Sequence, residues 1–422
     1  MRVIGGFIRT TPIHVMESEL YLFPLHLRRR YLAGKYWLKS KSMENCLVFK
    51  LIVELSTLTN NRYWRNKRVP LLTTIHEHLK SKPIDSKKKL GMFTLSTWVN
   101  NIDIANNIRT NVETITKSKH NYNSFHLKLI CSNYINKIYT SFYIIFTDAS
   151  KNSNNNIGAA FYDQQNGLCI KLKINFQVSI MEAELLAIAE ALSYSKTVIT
   201  NRILILSDAK TSLQHLARCT STFRGTTIAY SILDTITQIK ESGKTVILQW
   251  IPSHIGLAGN ELVDTLAKEA STEGIPINLL PSFTTHIYTL RIQCHDLFKE
   301  YFNQRSKEKG IWYRTIQPHP ARPPWIEKSC LSRTETVTAL RLRSGHIPCN
   351  KFSFLMRKTT SPNCSVCNVV DDFYHILMEC ARNKDIRDTC PFINELGKCN
   401  TILADPLSDL ARILYKLVDR RT

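Results

Sequence analysis

No run of this sequence approaches the ~20 consecutive apolar residues that a membrane-spanning helix needs. The opening MRVIGGFIRTTPIHVM has neither a sustained apolar core nor a small-residue cleavage site, so it does not read as a secretory leader. No internal repeat is visible. Together these absences favour an intracellular protein, nuclear or cytoplasmic, without a membrane partner. Wholesale disorder is set aside too, because 43% of residues are hydrophobic and only 21% are charged. The twelve cysteines are scattered. Without a leader they read as thiols rather than a disulfide framework, apart from one cluster near the C-terminus.

Acidic residues are also scarce, and unevenly so. The net charge is +22 over 422 residues, a length that suits two or three domains. Residues 1–142 carry 23 Lys and Arg against 8 Asp and Glu. Residues 143–272 carry 11 against 11, and residues 273–422 carry 22 against 15. A neutral block between two basic flanks suits a carboxylate site whose neighbours grip a polyanion, nucleic acid first among them.

Within the neutral block, two apolar runs end alike. Residues 143–150 (YIIFTDAS) and 203–209 (ILILSDA) read as strands buried on both faces. Each delivers an aspartate, Asp148 or Asp208, at its carboxyl end, the edge of an α/β sheet where sites gather. Strands are also expected at 157–162, 168–176 and 245–250, the first two making an antiparallel meander with 143–150. Ser179 and Glu182 form a capping box for a helix running to about Lys196. Further helices are expected near 212–217, 226–242 and 260–270. The order β-β-β-α-β-α-α-β-α gives an α/β domain with a mixed five-stranded sheet and flanking helices.

Five positions then converge on one chemistry. Asp148 and Asp208 end strands, Glu184 opens the first helix, and His254 lies in the loop of WIPSHIGLAGNELVDTLAKEA. Asp264 follows it, three residues after Glu261 on one helical face. Singly, such aspartates are usually caps and such a histidine is usually surface. Crowded carboxylates, however, raise one another's pKa unless a cation neutralises them. No Lys or Arg close in sequence matches this group, so hard divalent ions are expected, Mg²⁺ or Mn²⁺. Two such ions about 4 Å apart clamp an in-line phosphoryl displacement.

FTDAS, MEAELLAI, LSDAK and WIPSHIGLAGNELVDTLAKEA, in this order, resemble the type I ribonuclease H domain, in the version found in non-LTR retrotransposon polyproteins. The resemblance covers about 143–272. It implies a ribonuclease H-like fold and a two-Mg²⁺ endonuclease cutting the RNA strand of RNA–DNA hybrids to leave 5′-phosphate and 3′-hydroxyl ends. It further implies that Asp148, Glu184, Asp208 and Asp264 are the metal ligands and His254 the mobile histidine. Glu182 is assigned to the cap and Glu261 to the local helix or the outer surroundings of the metals. Two residues depart from the family pattern: Ala149 stands where Gly is usual and Ala209 where Ser is usual. A required φ > 0 at 149 would cost roughly 1 kcal/mol, and a lost hydroxyl at 209 would remove a helix cap. DDE-type integrases and transposases share the fold, but Glu184 between the aspartates and the 254–264 segment favour ribonuclease H. The alternative function is a weakened or inactive protein that binds hybrid or RNA without cutting.

Cys364, Cys367, His375 and Cys380 have the spacing of a closed tetrahedral Zn²⁺ site, resembling the tail that follows ribonuclease H in insect elements of this kind. Upstream, Arg341, Arg343 and His346 read either as phosphate contacts or as an exposed helix face. Residues 1–60, with helices bearing basic faces between 17 and 39, resemble the last helical part of a reverse transcriptase. No palm aspartates precede them, and the VVDD at 369–372 falls between zinc ligands, so polymerase activity is not expected. The resulting division is a polymerase remnant at 1–60 and a partly disordered linker at 61–142. The ribonuclease H domain at 143–272 follows, then a basic helical connector at 273–362 and a zinc-binding tail at 363–422. The partners expected are RNA–DNA hybrid, RNA and DNA.

Overall fold

A computed structural model of the chain describes residues 1–43, 45–59, 61–85, 104–116, 121–220, 225–347, 349–389 and 396–419. The basic run at 87–89 lies outside them. Contacts divide the chain into two units, residues 33–289 and residues 1–32 with 290–422.

The first unit is built on alternation of side chains. Its strands are β1 (Ile108–Arg109), β2 (Tyr143–Lys151), β3 (Ile157–Asp163), β4 (Cys169–Ile174), β5 (Arg202–Ser207), β6 (Thr245–Trp250) and β7 (Ile275–Ile277). They form one mixed sheet in the order β1-β6-β5-β2-β3-β4-β7. The β2–β3 and β3–β4 pairs are antiparallel, and the other neighbours are parallel. Ile203 and Ile205 of β5 point into one core, while Leu204 and Leu206 point into another on the opposite face. Successive residues of a strand face opposite ways, so an unbroken apolar run needs cover on both sides. Helices α2 (Ile180–Ser195), α3 (Lys210–Cys219) and α4 (Thr227–Glu241) cover the first face, and α1 (Ser124–Ile138) and α5 (Ala258–Glu273) the second.

The five expected strands are all present, and two short edge strands extend the sheet. β1 has two residues, too few to show a period, and β7 carries Pro276, which ordinarily argues against a strand. Both β1 and α1 lie within the stretch read as linker. Asn123 caps α1 through the Phe125 N–H. Leu127, Cys131, Tyr134 and Ile135 then make its buried stripe, which polar neighbours dilute in the sequence.

The capping box at Ser179 and Glu182 is formed, and Glu182 does more than cap. Its buried carboxylate also accepts bonds from the Ser282 N–H (2.8 Å) and the Thr285 hydroxyl (2.5 Å). Burial opposes its ionisation, yet these bonds hold its pKa below the ordinary value. On the other face α5 lies so close to β3 that a Cβ at Gly158 would fall 2.3 Å from the Ala267 carbonyl oxygen.

In the second unit, the segment read either as phosphate contacts or as an exposed helix face is largely internal. Arg343 is 1% exposed and pairs with Glu19 Oε1 at 2.8 Å, with Gln317 and the Leu403 carbonyl accepting its other N–H groups. Arg341 donates to the Gly6 carbonyl (2.8 Å), and His346 is half-buried. A guanidinium can be buried only when internal acceptors replace water, and here they do.

Gly158→Ala is expected to force α5 outward and to destabilise the sheet unit by about 1–3 kcal/mol, seen as a lower melting temperature by circular dichroism.

Candidate active site

The two aspartates are level with each other because of how the ladders end. Asp148 is not the last residue of its strand, as the sequence suggested, because β2 stays paired with β3 as far as Lys151. Its parallel ladder with β5 stops earlier, at Thr147 opposite Ser207. Asp148 and Asp208 are therefore each one residue beyond the same rung. Glu184, in the second turn of α2, joins them, and one carboxylate oxygen from each lies within 4.8 Å of the others.

This crowding has an electrostatic signature. Asp148 and Glu184 are buried, at 6% and 7% exposure. Burial first, then the charges of Asp208 and Asp264, push Asp148 up to about 8. Glu184 is held well above the ordinary carboxylate range by burial and then by Asp148 and Asp208. Its Oε2 is buried and has no hydrogen-bond partner among the described residues. Three carboxylates with an unsatisfied oxygen form a donor set suited to a hard divalent cation.

His254, Glu261 and Asp264 form a second group, with ligand atoms within 4.8 Å of one another. His254 has φ +53°, a conformation uncommon for a non-glycine residue, and its side chain is 66% exposed. Glu261 reaches back from α5 to hold that loop. One of its oxygens accepts the Gly256 N–H at 3.1 Å, and the other is 3.9 Å from His254 Nδ1.

The reading missed two residues on the Asp264 face of α5. Lys268, one turn beyond, places Nζ 2.6 Å from Asp264 Oδ2, so a cation does match the cluster. Its side chain is 60% exposed, which makes it a weak tether. Asn260, one turn before, is buried and donates to Asp208 Oδ2 at 3.5 Å. The signal was the i, i+4, i+8 spacing of Asn260, Asp264 and Lys268.

The family departures have local answers. Ala149 is extended within β2, so no left-handed glycine conformation is needed there. Ala209 is the N-cap of α3 and offers no side-chain bond. Ser207 Oγ accepts the Ala209 N–H instead, at 3.2 Å.

In the second unit, ligand atoms of Cys364, Cys367, His375 and Cys380 also lie within 4.8 Å of one another. A bridge between Asn363 and Val370 closes the turn that carries Cys364 and Cys367. Burial opposes ionisation of Cys364, but the Val366 and Cys367 amides help bring its thiol down to about 6. The Ala381 N–H donates to Cys367 Sγ at 3.3 Å. His375 is buried, and neither ring nitrogen makes a hydrogen bond among the described residues. Such a set could hold a metal ion. The VVDD aspartates serve the backbone around it: Asp371 accepts the Asn350 N–H and Asp372 the His375 N–H.

Residues 140–272 match the family model for RNase H, which supports an RNase H domain over this stretch. No match to a curated protein accompanies it. No helix among the described residues is long and apolar enough to cross a membrane.

A carboxyl whose pKa rises on folding favours the folded state only while it keeps its proton. Stability of the metal-free protein is therefore expected to fall as pH climbs from about 4 towards about 8 at Asp148. Asp148→Asn should reverse this, raising stability at pH 8 by more than about 1 kcal/mol, since each pKa unit is worth about 1.4 kcal/mol. Thermal melts in chelator across that range check it.

Proposed function

We propose that this protein cuts the RNA strand of RNA–DNA hybrids by a two-Mg²⁺ mechanism and derives from a retrotransposon polyprotein. The observation that carries the proposal is the convergence of Asp148, Glu184 and Asp208 at one end of the β2–β5 ladder, within the RNase H match and within the field of Asp264. Those four residues would hold the ions. When bound, the ions supply the charge that relieves the carboxylate repulsion and the polarisation that favours in-line attack of water on a phosphodiester.

The chain's own groups have distinct tasks. Asn260 fixes the Asp208 carboxylate. Lys268 gives Asp264 a counter-charge, and its exposure lets it yield that place. Glu261 faces Nδ1 of His254, which leaves Nε2 to carry a proton to or from the reacting oxygens. The basic flanks supply attraction to the phosphate backbone. Selectivity for hybrid rests on 2′-hydroxyl contacts across the wide minor groove.

The second metal group is assigned Zn²⁺. Three thiolates and one imidazole are soft donors, and neither buried His375 nitrogen makes a hydrogen bond among the described residues, Nδ1 lying 3.6 Å from Glu379 Oε2. Its role would be to hold the tail together rather than to react.

A labelled hybrid incubated with the protein and Mg²⁺ is expected to yield cut RNA, and chelator to stop it. Asp148→Asn should lower the rate more than about a hundredfold, and His254→Ala about a hundredfold. Salt-sensitive retention of the hybrid without any product would identify a binder instead.

Purified protein should contain about one zinc per chain, by atomic emission. Cys364→Ser with Cys380→Ser should abolish it and destabilise the residues 290–419 by several kcal/mol, roughly.

A further inference from the structure

The second unit contains a cavity of about 430 Å³ that neither metal group uses. This is within the range of small-molecule sites, roughly 300–1,000 Å³. Its cations come from two stretches far apart in sequence: Arg2 and Arg9 from one, Arg305 and Lys309 from the other. One carboxylate, Glu308, also lines it. Among the described residues, none of the four cations is paired with a carboxylate. Four like charges are thus gathered around one hollow with a single carboxylate, Glu308, against them.

We propose that this cavity binds a phosphate group carried on a nucleotide, either free or as part of a nucleic-acid strand. Guanidinium groups match phosphate oxygens in paired N–H···O contacts, and three of the four cations are arginines. Thr11 also lines the cavity. It is 1% exposed, and its hydroxyl has no hydrogen-bond partner among the described residues.

The two walls are tied together. Arg2 Nη2 donates to the Thr11 carbonyl at 3.1 Å, and His14 Nε2 lies 2.9 Å from the Lys309 carbonyl. Gly310, at φ +73°, lets the second wall approach, since a Cβ there would fall 2.7 Å from a Val15 methyl. Burial and then the charges of Arg305 and Lys309 hold His14 below its usual pKa, which fits a positive potential in the hollow. Tyr301, whose ring has the Arg305 guanidinium carbon 6.0 Å from its centroid, gives a flat wall for a base or sugar.

The test is calorimetric titration of the full chain at low salt, and its readout does not depend on hybrid cleavage. The probes are inorganic phosphate, adenosine monophosphate, and one DNA oligonucleotide with and without a 5′-phosphate. Saturable binding of the monophosphate is expected. Arg9→Gln with Arg305→Gln should weaken it about tenfold or more, with Arg9→Lys and Arg305→Lys restoring part. Lys328→Gln with Lys358→Gln removes the same charge from exposed positions elsewhere and should leave it unchanged. Preference for the 5′-phosphorylated strand would assign the site to a terminal phosphate. Equal binding of both strands, lost in the arginine variant, would assign it to the backbone. Absence of saturable binding, or equal loss in the lysine control, overturns the proposal.

Discussion

Like charges in a medium that cannot screen them are the constraint that the sheet unit has to satisfy. Asp148, Glu184 and Asp208 come together at the one place where β2 keeps its antiparallel partner but has left its parallel one. Burial and mutual repulsion oppose that arrangement, so the surroundings must impose it. The capping box fixes the start of α2 at Ile180, four residues before Glu184. The glycine at 158 lets α5 lie against β3 and bring Asn260 and Asp264 alongside. Two hydrophobic cores, one on each face of the sheet, hold both helices in place. The stability of those cores allows a destabilised cluster to persist, as functional sites commonly require.

Much of this was legible because the signals were local. Alternation in 203–207, the Ser179–Glu182 box and the order of strands and helices are all short-range patterns, and the elements formed within a few residues of the expected limits. Edge strands and the α1 helix were not legible. A two-residue strand has no period, and α1 buries only four of its fifteen residues. The site was legible as residue types but not as geometry. Sequence proximity placed Glu182 and Glu184 side by side, yet one ended in a web of hydroxyl and amide donors and the other was left with a bare oxygen. Lys268 contradicts the expectation that no Lys or Arg close in sequence matches the acidic group, since it stands four residues after Asp264, one turn on along the same helical face.

Arg343 shows the opposite failure. Arginines next to a glycine and a histidine suggest phosphate contact or an exposed helix face, but the acceptors of Arg343 lie 324 residues upstream at Glu19, 26 upstream at Gln317 and 60 downstream at Leu403. Sequence reveals charge readily and burial poorly, since burial depends on which distant segments return. The four cations around the cavity lined by Arg2 and Arg305 differ from Arg343 in that, among the described residues, none of them forms an ion pair with a carboxylate.

The Glu19–Arg343 pair joins residues 324 positions apart, with the whole sheet unit spelled out between them. On a ribosome moving at about 5–20 residues per second, the glutamate emerges and then waits on the order of tens of seconds for its partner. The inserted sheet unit has every one of its own segments available well before that. Vectorial synthesis thus gives the two units different clocks: the sheet-bearing middle can mature first, while the split unit closes later, when translation supplies the cation that pairs with Glu19.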